Sequence, residues 1–151
     1  MQALLALKDG DPMAAKAAMA AALQRAAGQN LRPGDAERVA MTHAQVALTV
    51  DGAVAAQAIL DPVLATLATM QGARHVRADH RSALWLQAVI QSQLGDCGRA
   101  HRALADGDAM LAGPPVLQAV QTEAEWARQA VEQRCPTDRS PPGNDQKSLQ
   151  P

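Results

Sequence analysis

The side chains able to do chemistry are few: four histidines (His43, His75, His80, His101) and two cysteines (Cys97, Cys135) in 151 residues. His75 and His80 flank the stretch VRAD, with Asp79 adjacent, which is two imidazoles and a carboxylate within six residues. A spacing of five places two side chains on different faces of a helix, and no third or fourth ligand lies near in sequence, so no metal site is expected. His43 falls beside an apolar stripe and reads as packed. His101, between Ala100 and Arg102 and two residues after Arg99, reads as solvent-facing. Cys97 follows a turn at the start of a helix, where the helix dipole favours a thiolate, but no His-Asn or His-Asp partner is placed to use it. Cys135 opens a polar tail and could link two copies by air oxidation. Two cysteines are too few for a disulfide framework, which makes the cytoplasm the expected compartment. Arg74, Arg77 and Arg81 form a small basic group able to meet a phosphate or an acidic partner, although a solvated loop is the preferred reading.

No GxGxxG, Walker loop, GxSxG or HExxH is present, and neither DGD (Asp9-Gly10-Asp11, Asp106-Gly107-Asp108) continues into a calcium loop. No enzyme and no cofactor are expected. Charge is balanced, with 14 basic and 15 acidic residues, and aromatics are scarce, which argues against nucleic acid as a partner. No apolar run reaches the roughly 20 residues of a membrane helix.

The elements that position these residues are helices. Alanine supplies 34 residues, Phe and Tyr are absent and Trp occurs twice, so the core is made by close approach of small side chains. Apolar periodicity with Gly, Pro and Asp punctuation predicts helices over 2–8, 12–27, 36–50, 53–71, 80–94, 97–112 and 116–133. Pro62 should kink or break the fourth, and Asp79 should cap the fifth after a connector, ARHVRA. Gly98 and Gly107 should weaken the sixth. The last helix places Leu117, Val120, Ala124, Ala127 and Val131 on one face, as a solvating cap would. Residues 135–151 hold four prolines and almost no apolar anchor, which predicts a disordered tail.

An internal repeat orders these helices. Ala15, Ala18, Met19 and Ala22 match Ala56, Ile59, Leu60 and Val63, and again Ala100, Ala103, Leu104 and Gly107, each set at i, i+3, i+4, i+7. Val39, Ala40, Ala44, Val46 and Val50 match Ala83, Leu84, Ala88, Ile90 and Leu94 at a shift of 44. The unit is helix, tight turn, helix, connector. Periods of this size mean stacked supersecondary units.

The segment LWLQAVIQSQLGDCGRAHRAL carries the plainest likeness to a known family. With Leu84 and Ala88, the Leu94-Gly95-Asp96 turn, and Ala100 and Leu104, it resembles a tetratricopeptide repeat. AMTHAQVALTVDGAVAAQAIL and MQALLALKDGDPMAAKAAM resemble it more loosely. The long unit is similar to the variant found in kinesin light chains and behind bacterial serine/threonine kinase and transcription-regulator domains. The family's first-helix aromatic is Ala47 in one unit and Gln91 in the next. The resemblance implies an all-α, right-handed stack of antiparallel helix pairs, a tetratricopeptide-like α-solenoid of about seven helices. Its domain would span 1–134, with units near 1–28, 36–71 and 80–112 and a capping helix at 116–133.

It also implies a non-catalytic protein–protein interaction or regulatory scaffold, the C-terminal part of a larger bacterial signalling protein. By the repeat alignment, Arg38, Met41, Gln45, Thr49, Trp85, Val89 and Gln93 face a groove for a protein or peptide partner, with Trp85 either its anchor or half-buried packing. Two alternatives accompany this reading. One is a self-associating structural module, pairing through a first unit whose short leading helix leaves Ala15 and Met19 partly uncovered. The other is a small-molecule sensor with its ligand between helix layers.

Overall fold

The structure, a computed structural model, describes residues 2–70, 74–111 and 117–137. Among them are seven helices and no strand: α1 (Gln2–Lys8), α2 (Pro12–Ala27), α3 (Asp35–Val50), α4 (Ala53–Thr69), α5 (Arg74–Gln93), α6 (Cys97–Ala109) and α7 (Gln118–Arg134). No described helix is long and apolar enough to cross a membrane.

The turns inside each pair follow from the sequence punctuation. After α1 and α5 the chain reverses at Gly10 (φ 77°) and Gly95 (φ 80°), left-handed conformations that a Cβ would strain. The next residue, Asp11 or Asp96, caps the following helix by accepting from the amide three residues on, Ala14 or Arg99, at 2.9 Å in both cases. The turn after α3 is one residue shorter, Asp51-Gly52, and Gly52 (φ 95°) supplies no side-chain cap.

The repeat read from the sequence recurs in part in which residues are buried. Ala15, Ala56 and Ala100, which open the three stripes, are all fully buried, as are Ala44 and Ala88 at the shift of 44; Val46 and Ile90, also a matched pair, lie within the core. Leu94 departs from this pattern and lies on the surface at the end of α5. Each odd-numbered helix touches the next: α1 meets α3, α3 meets α5, and α5 meets α7. Among the described residues α2, α4 and α6 do not touch one another, and α1 does not reach α7. The core is correspondingly divided. Ala3, Ala15, Met19 and Val46 form one cluster, Leu60, Val63, Leu67, Leu86 and Ile90 anchor a second, and two smaller clusters join α5 to α6 and α7.

Four expectations are corrected. Helix α5 begins at Arg74, so the basic stretch ARHVRA lies largely in helix, and Asp79 sits within α5, where it pairs with Arg38 of α3 at 2.9 Å instead of capping. Buried Val76 gives those first turns their hold on the core. Helix α4 continues past Pro62, so of the kink or break expected there the break does not occur. Ala15 and Met19 are covered by α1 and α3, which removes the reason given for pairing through that face; Leu4, Leu5 and Met13 are the large apolar residues left exposed there. Cys135 does not belong to a loose tail, because it is buried against α6. The rest of that tail, 138–151, lies outside the described residues.

Candidate functional site

Trp85 decides where a groove can be. Its ring is fully buried between α5, α6 and α7, and its indole N–H donates to Asp108 Oδ1 at 3.1 Å. Gly107 makes room for it: a Cβ on that residue would lie 2.6 Å from Trp85 Cδ1. Asp108 also accepts from Arg128 of α7, at 2.9 and 3.2 Å, and Arg81 lies over the indole 5.3 Å from the ring centroid. Three helices are thus pinned to one side chain. The expected anchor Trp85 is core, and so is Val89 at 2% exposure, because α7 covers both.

The remaining groove candidates are dispersed. Arg38 is committed to Asp79 at the far end of α3. Met41 and Gln45 are half-buried, Met41 against the central core. Thr49 and Gln93 come together at the C-terminal ends of α3 and α5. There, with Leu48 and the edge of Val89, they line an open groove of about 410 Å³ whose other wall is α7: Trp126, Gln129, Ala130, Gln133 and Arg134.

Its chemistry is simple. The lining holds three glutamines, a threonine, apolar Leu48, Val89 and Ala130, one exposed indole and one cation, and it holds no carboxylate. Primary amides both donate and accept, which suits the alternating N–H and C=O of an extended backbone. Trp126, 43% exposed, gives a flat apolar face with an N–H donor. Sequence reasoning missed the α7 wall because that helix reads as a cap whose apolar face points inward. The available signal was a tryptophan off the Ala124–Ala127–Val131 stripe, amid Glu125, Arg128 and Glu132.

The cysteines form a pair. Cys97, the first residue of α6, is bonded to Cys135, which directly follows α7, across a separation of 38 residues, and no described cysteine is free. A loop of that length removes enough unfolded-chain entropy to stabilise the fold by about 4 kcal/mol in the chain-entropy model. Beside the bridge, His101 Nε2 lies 2.9 Å from the Cys135 carbonyl, so a donating Nε2–H closes the end of α7, and His101 is not simply solvent-facing.

Burial shifts two further titratable groups, Glu123 and His80. Ser82 donates to Glu123 at 3.0 Å, joining α5 to α7, and burial pushes the Glu123 carboxyl up despite that bond and nearby Arg81. Burial holds His80 below the usual imidazole range. His75 and His80 share α5, and no cluster of three metal-ligating residues occurs among the described residues. A second groove of about 430 Å³ between α4 and α6, over Gln87, mixes Asp61 and Asp106 with Arg99 and Arg102 and selects no charge. Set beside known proteins, the chain matches no family model, no curated protein and no solved structure.

Proposed function

We propose that the chain is a non-catalytic interaction module, a stack of tetratricopeptide-like helix pairs whose α3–α5–α7 groove binds an extended peptide. The observation that carries this reading is the groove itself: an exposed indole and three amides with no carboxylate, formed where successive odd-numbered helices lie side by side. Contacts restricted to near neighbours along the chain support the stacked arrangement over a closed bundle. Arg134 at the rim favours a peptide bearing an acidic group near the bound segment.

The test is calorimetric titration with a panel of extended peptides of varied charge. Trp126→Ala should weaken any binder at least tenfold, while Val54→Ala, on an exposed residue outside the groove lining, should not. Binding indifferent to Trp126 would end the groove reading. The bridge bears on location too: disulfides persist in oxidising compartments, and in reducing ones they serve as switches. The cytoplasmic expectation is therefore compatible with this chain only if the bridge responds to redox conditions.

A further inference from the structure

We infer that the Cys97–Cys135 bridge is a redox lock on the groove, fixing the last turn of α7 when closed and releasing it when reduced. The inference rests on the groove proposed above for its consequence, though the lock itself is a property of α7.

Helix α7 is held in two different ways along its length. Its first turns are tied by Ser82–Glu123, by the double contact of Arg128 with Asp108, and by Ala124 and Ala127 under Trp85 and Val89. Its last turn buries only Val131 before the bridge, and Glu132, Gln133 and Arg134 are exposed. The surface it rests on is Ala88, Ala100 and Ala103, with partly buried Leu104 the one larger aliphatic side chain beside them. Cys135 and the hydrogen bond from His101 complete the attachment. With the bridge open, that turn keeps one valine, one buried thiol and one histidine hydrogen bond. Gln133 and Arg134, which form the groove's outer wall, move with it.

The bridge is also open to attack from one side. Cys97 is partly exposed and opens α6, whereas Cys135 is 2% exposed. A reductant of the dithiol class would attack Cys97 Sγ as a thiolate, forming a mixed disulfide and expelling Cys135 Sγ as a thiolate that takes up a proton. The second thiol of the reductant then displaces Cys97, which is protonated in turn. The protein gains two electrons and two protons, and the reductant leaves as its own disulfide.

Hydrogen exchange read by mass spectrometry on the whole chain, oxidised and then reduced with dithiothreitol, tests this. Reduction should speed amide exchange in 131–137 at least tenfold more than in 118–127, α3 and α4, which gain only the common factor set by the loss of the bridge's global stabilisation. The double substitution Cys97→Ala with Cys135→Ala should reproduce the reduced pattern without any thiol. Unchanged exchange at 131–137 would overturn the lock. Equal acceleration throughout the chain would make the bridge a global staple alone and overturn the lock as well, as would a folded protein whose bridge resists excess dithiothreitol. Peptide titration of both states is scored separately: peptides that bind neither state refute the groove, whatever the exchange pattern.

Discussion

Two neighbouring helix pairs, α3–α4 and α5–α6, solve the same packing problem with different side chains. At the shift of 44, Met41 and Val63 of the first pair correspond to Trp85 and Gly107 of the second. In the first, half-buried Met41 and buried Val63 belong to one apolar core. In the second, a fully buried indole fills the space and the opposing position shrinks to a glycine. Total volume is kept while its division across the seam changes, the kind of exchange that cores tolerate. The second solution also brings in polar ties, because an indole N–H taken out of water needs an acceptor, and Asp108 supplies it.

Substitutions can break this comparison. Trp85→Ala should cost about 4 kcal/mol in chemical denaturation, whereas Met41→Ala, at the half-buried counterpart, should cost about half as much. Equal losses would mean that the two seams are not alternative fillings of one space. Gly107→Ala should cost about 2 kcal/mol by overpacking, despite alanine's higher helix propensity. In a Trp85→Met background the same change should become nearly neutral, and additive losses would show that Gly107 serves some other need.

A smaller gain is expected at the next matched pair. Ala47 and Gln91 are both 2% exposed, but the Gln91 Nε2 has no hydrogen-bond partner. Gln91→Met should raise stability by about 1 kcal/mol, read as a shifted urea midpoint. The smallest effect concerns Glu123, on the α7 side of the second pair. Its raised pKa means that its contribution to stability is full below the ordinary carboxylate value and fades as pH rises through the raised one. Glu123→Gln should flatten the fall of stability that begins above the ordinary carboxylate pKa, with little change at the acid end.

What the sequence disclosed, and what it hid, divides along the same line. Ala15, Ala56 and Ala100 were legible because burial of a helix stripe is a periodic property, carried by every turn. The start of α5 was not, because Arg74 to His80 has only Val76 and Ala78 as apolar markers and Asp79 resembles a cap until Arg38 is placed beside it. Trp85 was ambiguous for a similar reason. A tryptophan on a helix suits a groove or a core equally, and what resolves it is a glycine 22 residues downstream inside another helix. The pairing of Cys97 with Cys135, and the α7 wall carrying Trp126, depend on how the last helix lies across the pair before it. No local pattern encodes that placement.

The cross-link between Cys97 and Cys135 also sets how the chain bears load. Tension applied at the two ends would pass through the bond and bypass the segment between its ends, a sequence separation of 38, so α6 and α7 could not be drawn out. At roughly 3.5 Å per extended residue, the segment withheld is about 130 Å of contour. An oxidised molecule stretched singly would come up short by that length, and a reduced one would recover it.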